Sequence, residues 1–509
     1  MAKYFGTDGI RGRTDNQPCD IPFTKDFIKK TANALAMFLL GNANQEPSLL
    51  SPALILGNDT RESCHWIKAI FTQTLPAHGI KVTDVDVVPT AVVPFLVFQQ
   101  TISSPSQLTY GIMITASHNP AEWNGLKFFN PNGEKLSEQE VTKIEDLITI
   151  AAPVLPTINK QIYVYSTQNT HTSISHSSAQ GAEFCASESS IHCVKFTGFG
   201  RQGSRKEGFP LFVEGAGEAM PPQKELWVEY LISKFCHLKH SKYKPLITID
   251  CANGSGAEVA HNVLTELGWQ FMLVNDTPDG VNINKSTISI VKGICFAFDG
   301  DADRATIYMD NKKLHGDILI TLLATWLHSK KQLNNNTVVS TVLFNGGAEK
   351  YLTCHGISLI RTPVGDKHIT RIIKENNLSF GGEESGHIIL LDPDLEFSQN
   401  QLKCGDGLQT SLTFLSMLCD IGMHELKERV KQIELYKSIS RNVKSTQVKK
   451  ELIETKQFIQ AIDALQSKNE DHRIIIRASG TEDLIRIYVE GPNKKTCELI
   501  VSQVLNLLN

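Results

Sequence analysis

The chain has 509 residues, of which 41% are hydrophobic and 20% charged, enough apolar material for about three or four separately packed cores. A formal net charge of -4 provides no basic footprint for nucleic acid, and no apolar run is long enough to span a bilayer. Binding of nucleic acid and insertion into a membrane are thereby set aside, and metabolic chemistry on a small molecule is the expectation.

In chain order, the start MAKYFGTDGIRGR lacks the apolar stretch and small-residue cleavage site of a secretory leader, so the expected location is the cytoplasm. Thr24 can cap a helix whose apolar face is Phe27, Ala34, Leu35 and Phe38, and Ala53–Leu56 and Lys81–Val88 read as strands. The apolar run Gly111–Ile114 leads into TASHNP, which sets the Ser117 hydroxyl at the carboxyl end of a buried strand. No GxSxG elbow surrounds it, and on an extended backbone Ser117 and His118 would point apart, which argues against an acyl-transfer triad. Lys127 in NGLKFF could offset phosphate charge or lie solvated at a strand edge. Residues 1–156 form the first expected α/β/α domain.

Residues 157–222 are rich in Ser, Thr, Gly, Gln and His without sustained periodicity, and are expected to be a mobile insertion. Within it Gly198–Gly203 matches GxGxxG, but Gly208 and Pro210 stand where a phosphate-binding helix should begin. His171, His176, Cys185, His192 and Cys193 fit no common zinc spacing. The eleven cysteines include no CxxC pair and read as reduced thiols.

Residues 223–312 form a second α/β/α domain, with strands Leu246–Asp250 and Gln270–Val274 around a helix Ala257–Leu267. After a short crossover it reaches DGDADR. Arg304 and Asp310 occupy the positions where a calcium loop needs Gly and Glu, and the flanks Cys295–Phe298 and Ala305–Met309 read as strands. Asp299, Asp301 and Asp303 could instead hold Mg²⁺ beside a phosphate that Arg304 reaches, the alternative being a plain acidic turn.

A third domain over 313–425 has helices Asp317–Leu327, Ala348–Cys354 and Ile369–Lys374, a strand Thr337–Leu343, and the loop FGGEESGH, whose Glu383, Ser385 and His387 suit sugar hydroxyls. The last, 426–509, reads as a smaller α+β domain with strands Arg473–Ile476 and Leu484–Glu490 and a final helix Lys494–Leu508. Its RASGTEDLIR turn offers Arg477, Ser479, Gly480, Thr481 and Arg486 as a phosphate cradle, or is a polar hairpin turn. There is no GxxxxGK[ST] and no Gly-Lys dipeptide, which excludes a P-loop kinase. A serine that can store phosphate, a metal loop, a polyol loop and a phosphate clamp together suit moving phosphate within a sugar.

Taken in order, YFGTDGIRG, TASHNP, NGLKFF, DGDADR, GGEESGH and RASGTE resemble the α-D-phosphohexomutase family, and IDCANGSG, PDGVNIN and GHIILLD its glucosamine branch. The resemblance implies three similar α/β/α domains with mixed sheets and a smaller C-terminal domain around one cleft. It implies that Ser117 is a phosphoserine and metal ligand, that Asp299, Asp301 and Asp303 hold Mg²⁺, and that Arg11, His118, Lys127 and Arg304 assist transfer. Glu383 and Ser385 would grip the sugar, and Arg477, Ser479, Gly480, Thr481 and Arg486 its distal phosphate. The implied reaction interconverts glucosamine 6-phosphate and glucosamine 1-phosphate through a sugar 1,6-bisphosphate, feeding UDP-N-acetylglucosamine, in a monomer or homodimer. Ala302, Glu384 and Asp483 replace the branch's usual Gly, Gln and Pro, and the stretch between Asn284 and Asp299 is shorter than the family's. Glucose or mannose phosphates, or sugar-phosphate binding without turnover, are the alternatives.

Overall fold

The computed structural model describes residues 3–6, 8–15, 17–43, 51–150, 164–166, 223–285, 293–392, 403–444, 451–478 and 484–508. Ser479, Gly480, Thr481 and Asp483, the GxGxxG match and the His and Cys residues of 171–193 lie outside them.

The first sheet contains β1 (Phe5–Gly6), β2 (Gly9–Arg13), β3 (Ser51–Asn58), β4 (Lys81–Val87), β5 (Gln107–Ile114), β6 (Trp123–Phe129) and β7 (Val164–Ser166), in the order β1-β2-β6-β5-β3-β4-β7. Helices α1 (Lys25–Ala43), α2 (Ser63–Ala77), α3 (Val92–Ser103) and α4 (Glu138–Ile150) accompany it. Thr24 does cap α1, its Oγ1 accepting from Phe27 N at 3.2 Å. Ile28, Ala32, Leu35 and Leu39 then recur at helical spacing and are buried. Burial of the larger ones, Ile28, Leu35 and Leu39, stabilises the fold by roughly 1.5–3 kcal/mol each. β3 is parallel to both β4 and β5, and as in parallel sheets generally its side chains from Ala53 to Asn58 are buried on both faces. β7 falls inside the segment expected to lack strand structure: Val164–Ser166 extends the sheet parallel to β4, whose outer edge would otherwise expose unpaired backbone groups.

Helix α5 (Gln223–Lys234) packs Trp227 against Phe95 of α3, ring centroids 4.9 Å apart, and so joins the first unit to the second. There, β8 (Ile247–Asp250), α6 (Ala257–Glu266), β9 (Phe271–Val274), β10 (Ile294–Phe298), β11 (Ala305–Met309) and β12 (Lys312–Lys313) give the sheet order β12-β11-β10-β8-β9. β9 and β10 flank β8, both parallel to it, and residues 275–285 of the short crossover contain no helix. The unit still closes a core, with Ile247, Ile249, Val263 and Phe296 all buried. Phe298 pairs with Ala305, so DGDADR is the connection of an antiparallel hairpin, as its flanks foretold.

The third sheet, β14-β13-β15-β16, comprises β13 (Thr337–Thr341), β14 (Ser358–Thr362), β15 (Phe380–Gly382) and β16 (Ile388–Leu390), with α7 (Gly316–Ser329), α8 (Gly346–Cys354), α9 (Asp366–Glu375) and α10 (Gly407–Gln432). α10 breaks at Gly422, whose φ of +76° and ψ of +164° are not helical, just before position 425/426, where the composition suggested a boundary, and its second segment runs through that position. The charged residues there are its outer face, while Leu426 and the following Ile433 remain buried. The fourth sheet, β17-β19-β18, is built from β17 (Lys437–Lys444), β18 (Arg473–Ala478) and β19 (Leu484–Gly491), with α11 (Lys456–Ser467) and α12 (Lys494–Leu507). It docks on the third through buried Glu490, whose Oε1 accepts from Gly346 N at 2.9 Å and pairs with Arg473 at 2.7 Å. Nine cysteines are unpaired among the described residues and five of them are buried, in keeping with thiols packed as small hydrophobes. No described helix is long and apolar enough to cross a membrane.

Asp406 caps α10 through Gln409 N at 2.8 Å, and burial pushes its carboxyl up to about 7 although the N–H groups of Gln409 and Leu408 pull the other way. An acid raised above its unfolded value contributes stability that is full below the ordinary carboxylate range and is lost as pH rises through about 7. The wild type should therefore lose a few kcal/mol relative to Asp406→Asn between pH 4 and 8, about 1.4 kcal/mol for each tenfold change in proton affinity. Denaturant melts of both proteins across that range check it; parallel curves would refute it.

Candidate active site

Ser117 follows β5 and is buried, with its Oγ donating to Asp299 Oδ2 at 2.6 Å across the gap between the first and second sheets. Its φ of +54° overturns the extended backbone assumed for it, so side-chain alternation does not govern how Ser117 and His118 point. His118 is exposed, and its Nδ1 accepts from Arg304 Nη1 at 3.3 Å. Partial desolvation by its neighbours, then Arg304 and Arg11, push its pKa below the ordinary histidine value, which favours neutral imidazole near pH 7. Arg11 on β2 reaches Asn119 Oδ1 at 3.2 Å and Asp8 Oδ2 at 3.5 Å.

Asp299, Asp301 and Asp303 each offer a carboxylate oxygen within 4.8 Å of the others. The Oδ1 atoms of all three are buried with no hydrogen-bond partner, a state that buried carboxylates leave by neutralising or by holding a cation. That donor set, all hard oxygen, fits Mg²⁺. Burial and then the Asp303 and Asp301 charges push Asp299 well above the usual carboxylate range. Asp303 is also penalised by burial, but Lys127, His387 and Arg304 hold it below that range.

Lys127 is no edge lysine. β2 pairs with β6 on the side away from β5, so the strand is internal and the ammonium is buried among Asp301 (2.7 Å), Asp303 (2.6 Å) and Asp8 (3.2 Å). Burial opposes its charge, but those carboxylates win and raise it well above the ordinary lysine value. It contacts the Oδ2 atoms of Asp301 and Asp303, leaving their Oδ1 atoms unpartnered. Arg304 Nε lies 3.6 Å from Asp303 and 3.8 Å from Asp299.

The loop between β15 and β16 reaches the same place. Gly386, at φ +89°, lies so close to the end of the 299–304 loop that an added Cβ would sit 2.4 Å from Ala305 O, and Ala305 N donates to Gly386 O at 3.2 Å. Glu383 is half-buried and accepts from Gly365 N at 3.0 Å, while Ser385 is exposed. His387, expected to face sugar hydroxyls, is instead buried, with Nε2 3.6 Å from Asp366 and 3.9 Å from Asp303. Its position at the start of β16 turns it under the loop. Glu384, the departure from Gln, lies 3.2 Å from His315 Nε2 beside the N-terminus of α7 and so anchors the loop from behind. Ala302, the departure from Gly, adopts φ +52°. In the fourth sheet Arg477 stands directly across from Arg486 on adjacent antiparallel strands.

Residues that the sequence reading passed over complete the site. Lys135 pairs with Asp8 and, at 2.5 Å, with Asp366 of α9, tying the first unit to the third. Thr90 donates to Asp301 Oδ2 at 2.5 Å through its hydroxyl and to Asp301 O at 2.9 Å through its amide. Asp8 lay within the quoted GTDG motif, but nothing local distinguishes the others.

A hydroxyl hydrogen-bonded to one of three converging carboxylates, ringed by Lys127, Arg304 and Arg11, between doubly wound layers, defines a phosphoryl-transfer enzyme acting on a phosphorylated small molecule. The chain belongs to the phosphoglucomutase/phosphomannomutase family. Family descriptions match as alpha/beta/alpha domain I over residues 2–153, alpha/beta/alpha domain III over 315–436 and the C-terminal domain over 428–507. It is 33% identical to the phosphoglucosamine mutase of Caldicellulosiruptor bescii over 100% of both chains. Its fold is similar to a phosphoglucomutase/phosphomannomutase family protein from Burkholderia thailandensis, with TM-score 0.68, 16% identity and coverage of 100% and 97%. It is also similar to the N-acetylphosphoglucosamine mutase of Aspergillus fumigatus, solved with GlcNAc-6P and magnesium, with TM-score 0.57, 19% identity and coverage of 82% and 92%.

Proposed function

We propose that the protein is a phosphoglucosamine mutase that interconverts glucosamine 6-phosphate and glucosamine 1-phosphate through a phosphorylated Ser117 and a sugar 1,6-bisphosphate. The contact that carries this reading is the 2.6 Å hydrogen bond from Ser117 Oγ to Asp299, and full-length likeness to a phosphoglucosamine mutase supports the sugar. Asp299, Asp301 and Asp303 would hold Mg²⁺ with the phosphate on Ser117 as a further ligand. When bound, Mg²⁺ supplies neutralisation of charge on the transferring phosphoryl oxygens.

The chain's own groups do the rest. Glu383 and Ser385 orient the sugar so that its free hydroxyl O1 faces the phosphorus on Ser117. A bond forms from O1 to phosphorus as the bond to Oγ breaks. His118, neutral and with its lone pair at Nδ1 once Arg304 yields that place, takes the O1 proton and gives it to the departing Oγ. Arg304 and Lys127 balance negative charge during the transfer. The bisphosphate then turns end for end, and Oγ gives up its proton as it attacks the phosphorus on O6, while O6 receives a proton as it leaves. Arg477 and Arg486, with Ser479, Gly480 and Thr481, grip the phosphate that is not reacting, and the fourth sheet swings to let the two ends exchange.

Steady-state comparison of glucosamine, glucose and mannose 6-phosphates, each with its 1,6-bisphosphate, tests the reading. The highest kcat/KM is expected for glucosamine 6-phosphate, and preference for either of the others would refute it. Arg477→Ala should raise KM by roughly tenfold through loss of one guanidinium fork, with kcat less affected. An unaltered KM would remove Arg477 from the clamp.

A further inference from the structure

Ser117 holds its left-handed backbone because its carbonyl is gripped from two sides. Arg61 lies just beyond β3, the parallel neighbour of β5, and its side chain is wholly buried. Its Nε donates to Asp59 Oδ2 at 2.9 Å, Nη2 to the carbonyl oxygens of Ser117 at 2.9 Å and Asn119 at 2.8 Å, and Nη1 to Trp123 O at 3.0 Å and to Pro120 O. From the second unit, Asn284 Nδ2 donates to the same two oxygens, Ser117 O at 2.7 Å and Asn119 O at 3.0 Å, while its own N–H donates to Ala252 O at 2.8 Å. Asp59 completes the frame. It accepts from Thr115 Oγ1 at 2.7 Å, and that oxygen accepts from Ser117 N at 2.8 Å. Gly300 of the metal loop lies against this peptide, where an added Cβ would be 2.9 Å from Ser117 O.

We propose that Arg61 and Asn284 are positioning residues for phosphoryl transfer, a two-sided clamp that fixes the Ser117 peptide and so keeps Oγ aimed at the Asp299 cluster. Neither residue reaches the nucleophile's oxygen; both act through the carbonyls of the loop that carries it. Because Asn284 belongs to the second unit, the clamp also makes the nucleophile's aim depend on how that unit seats against the first. A serine that must donate and then recover a phosphoryl group has to return to one orientation in every cycle. Four hydrogen bonds to two carbonyls supply that restraint without occupying space near the sugar.

The inference rests on the mutase reading, and its test separates the two. Asn284→Ala removes half of the clamp with little buried volume, and Arg61→Lys keeps the charge facing Asp59 while losing the fork. For Asn284→Ala, kcat with glucosamine 6-phosphate should fall about 10- to 100-fold, the scale of a small misplacement of reacting groups, with KM within about threefold of the wild type. The rate at which phosphate leaves Ser117 on mixing with glucosamine 6-phosphate, followed by rapid quench and intact mass, should fall by the same factor, and the thermal midpoint should move by no more than about 4 °C. Arg61→Lys should lose more in the same sense. A kcat for Asn284→Ala within twofold of the wild type, or a loss confined to KM, overturns the clamp. An inactive wild type overturns the mutase reading instead.

Discussion

Replacing Ser117 with alanine is expected to lower turnover by at least about 10⁴-fold, the scale seen when a covalent nucleophile is removed, while the protein remains folded. The side chain's role in the fold is small: one hydrogen bond from Oγ to Asp299. The peptide around it is held by its backbone, through Thr115 Oγ1, Arg61 and Asn284, and those bonds survive the substitution. Intact mass should show phosphate on the wild type that is discharged by glucosamine 6-phosphate, and none on the variant. A pure Ser117→Ala protein with wild-type activity would end the phosphoserine mechanism.

The second large effect is expected at Asp301. It is fully buried, and its Oδ2 already accepts from Lys127 and Thr90, so Asp301→Asn keeps the volume but removes one of three charges facing the candidate ion. Mg²⁺ binding measured by titration calorimetry should weaken strongly, and kcat should fall by about 10³-fold at fixed Mg²⁺, the order of losing several kcal/mol of charge stabilisation. In the wild type, a chelator should abolish activity and added Mg²⁺ restore it. Full activity in excess chelator would exclude the ion from the reaction, and unchanged binding in Asp301→Asn would exclude the carboxylate from the site.

How much of this was legible depends on where each residue's partners lie. Ser117 and the three aspartates announce themselves because each loop is short, follows an apolar strand and carries its chemistry within a few residues. Glu383 and Ser385 were legible as residues of a glycine-flanked loop between strands, which the structure places between β15 and β16. Lys127 was legible as a residue of interest but not as a buried one, because that required knowing that β2 would cover the far side of β6. His387 shares a motif with Glu383, yet the turn at Gly386 sends it inward to Asp366 and Asp303. β7 was missed because three residues carry too little periodicity to stand out from a polar segment.

The amino-acid order alone determined the alternation of helix and strand, the motif-bearing loops and their chemical types, since these follow from spacing of apolar residues and from side-chain chemistry within a few positions. Only the tertiary structure decided which loops meet. Lys135 and Asp366, or Asn284 and the carbonyl of Ser117, are far apart in the chain, and ordinary residues become a site only when packed sheets exclude water and leave each charge or carbonyl to find its partners within the protein.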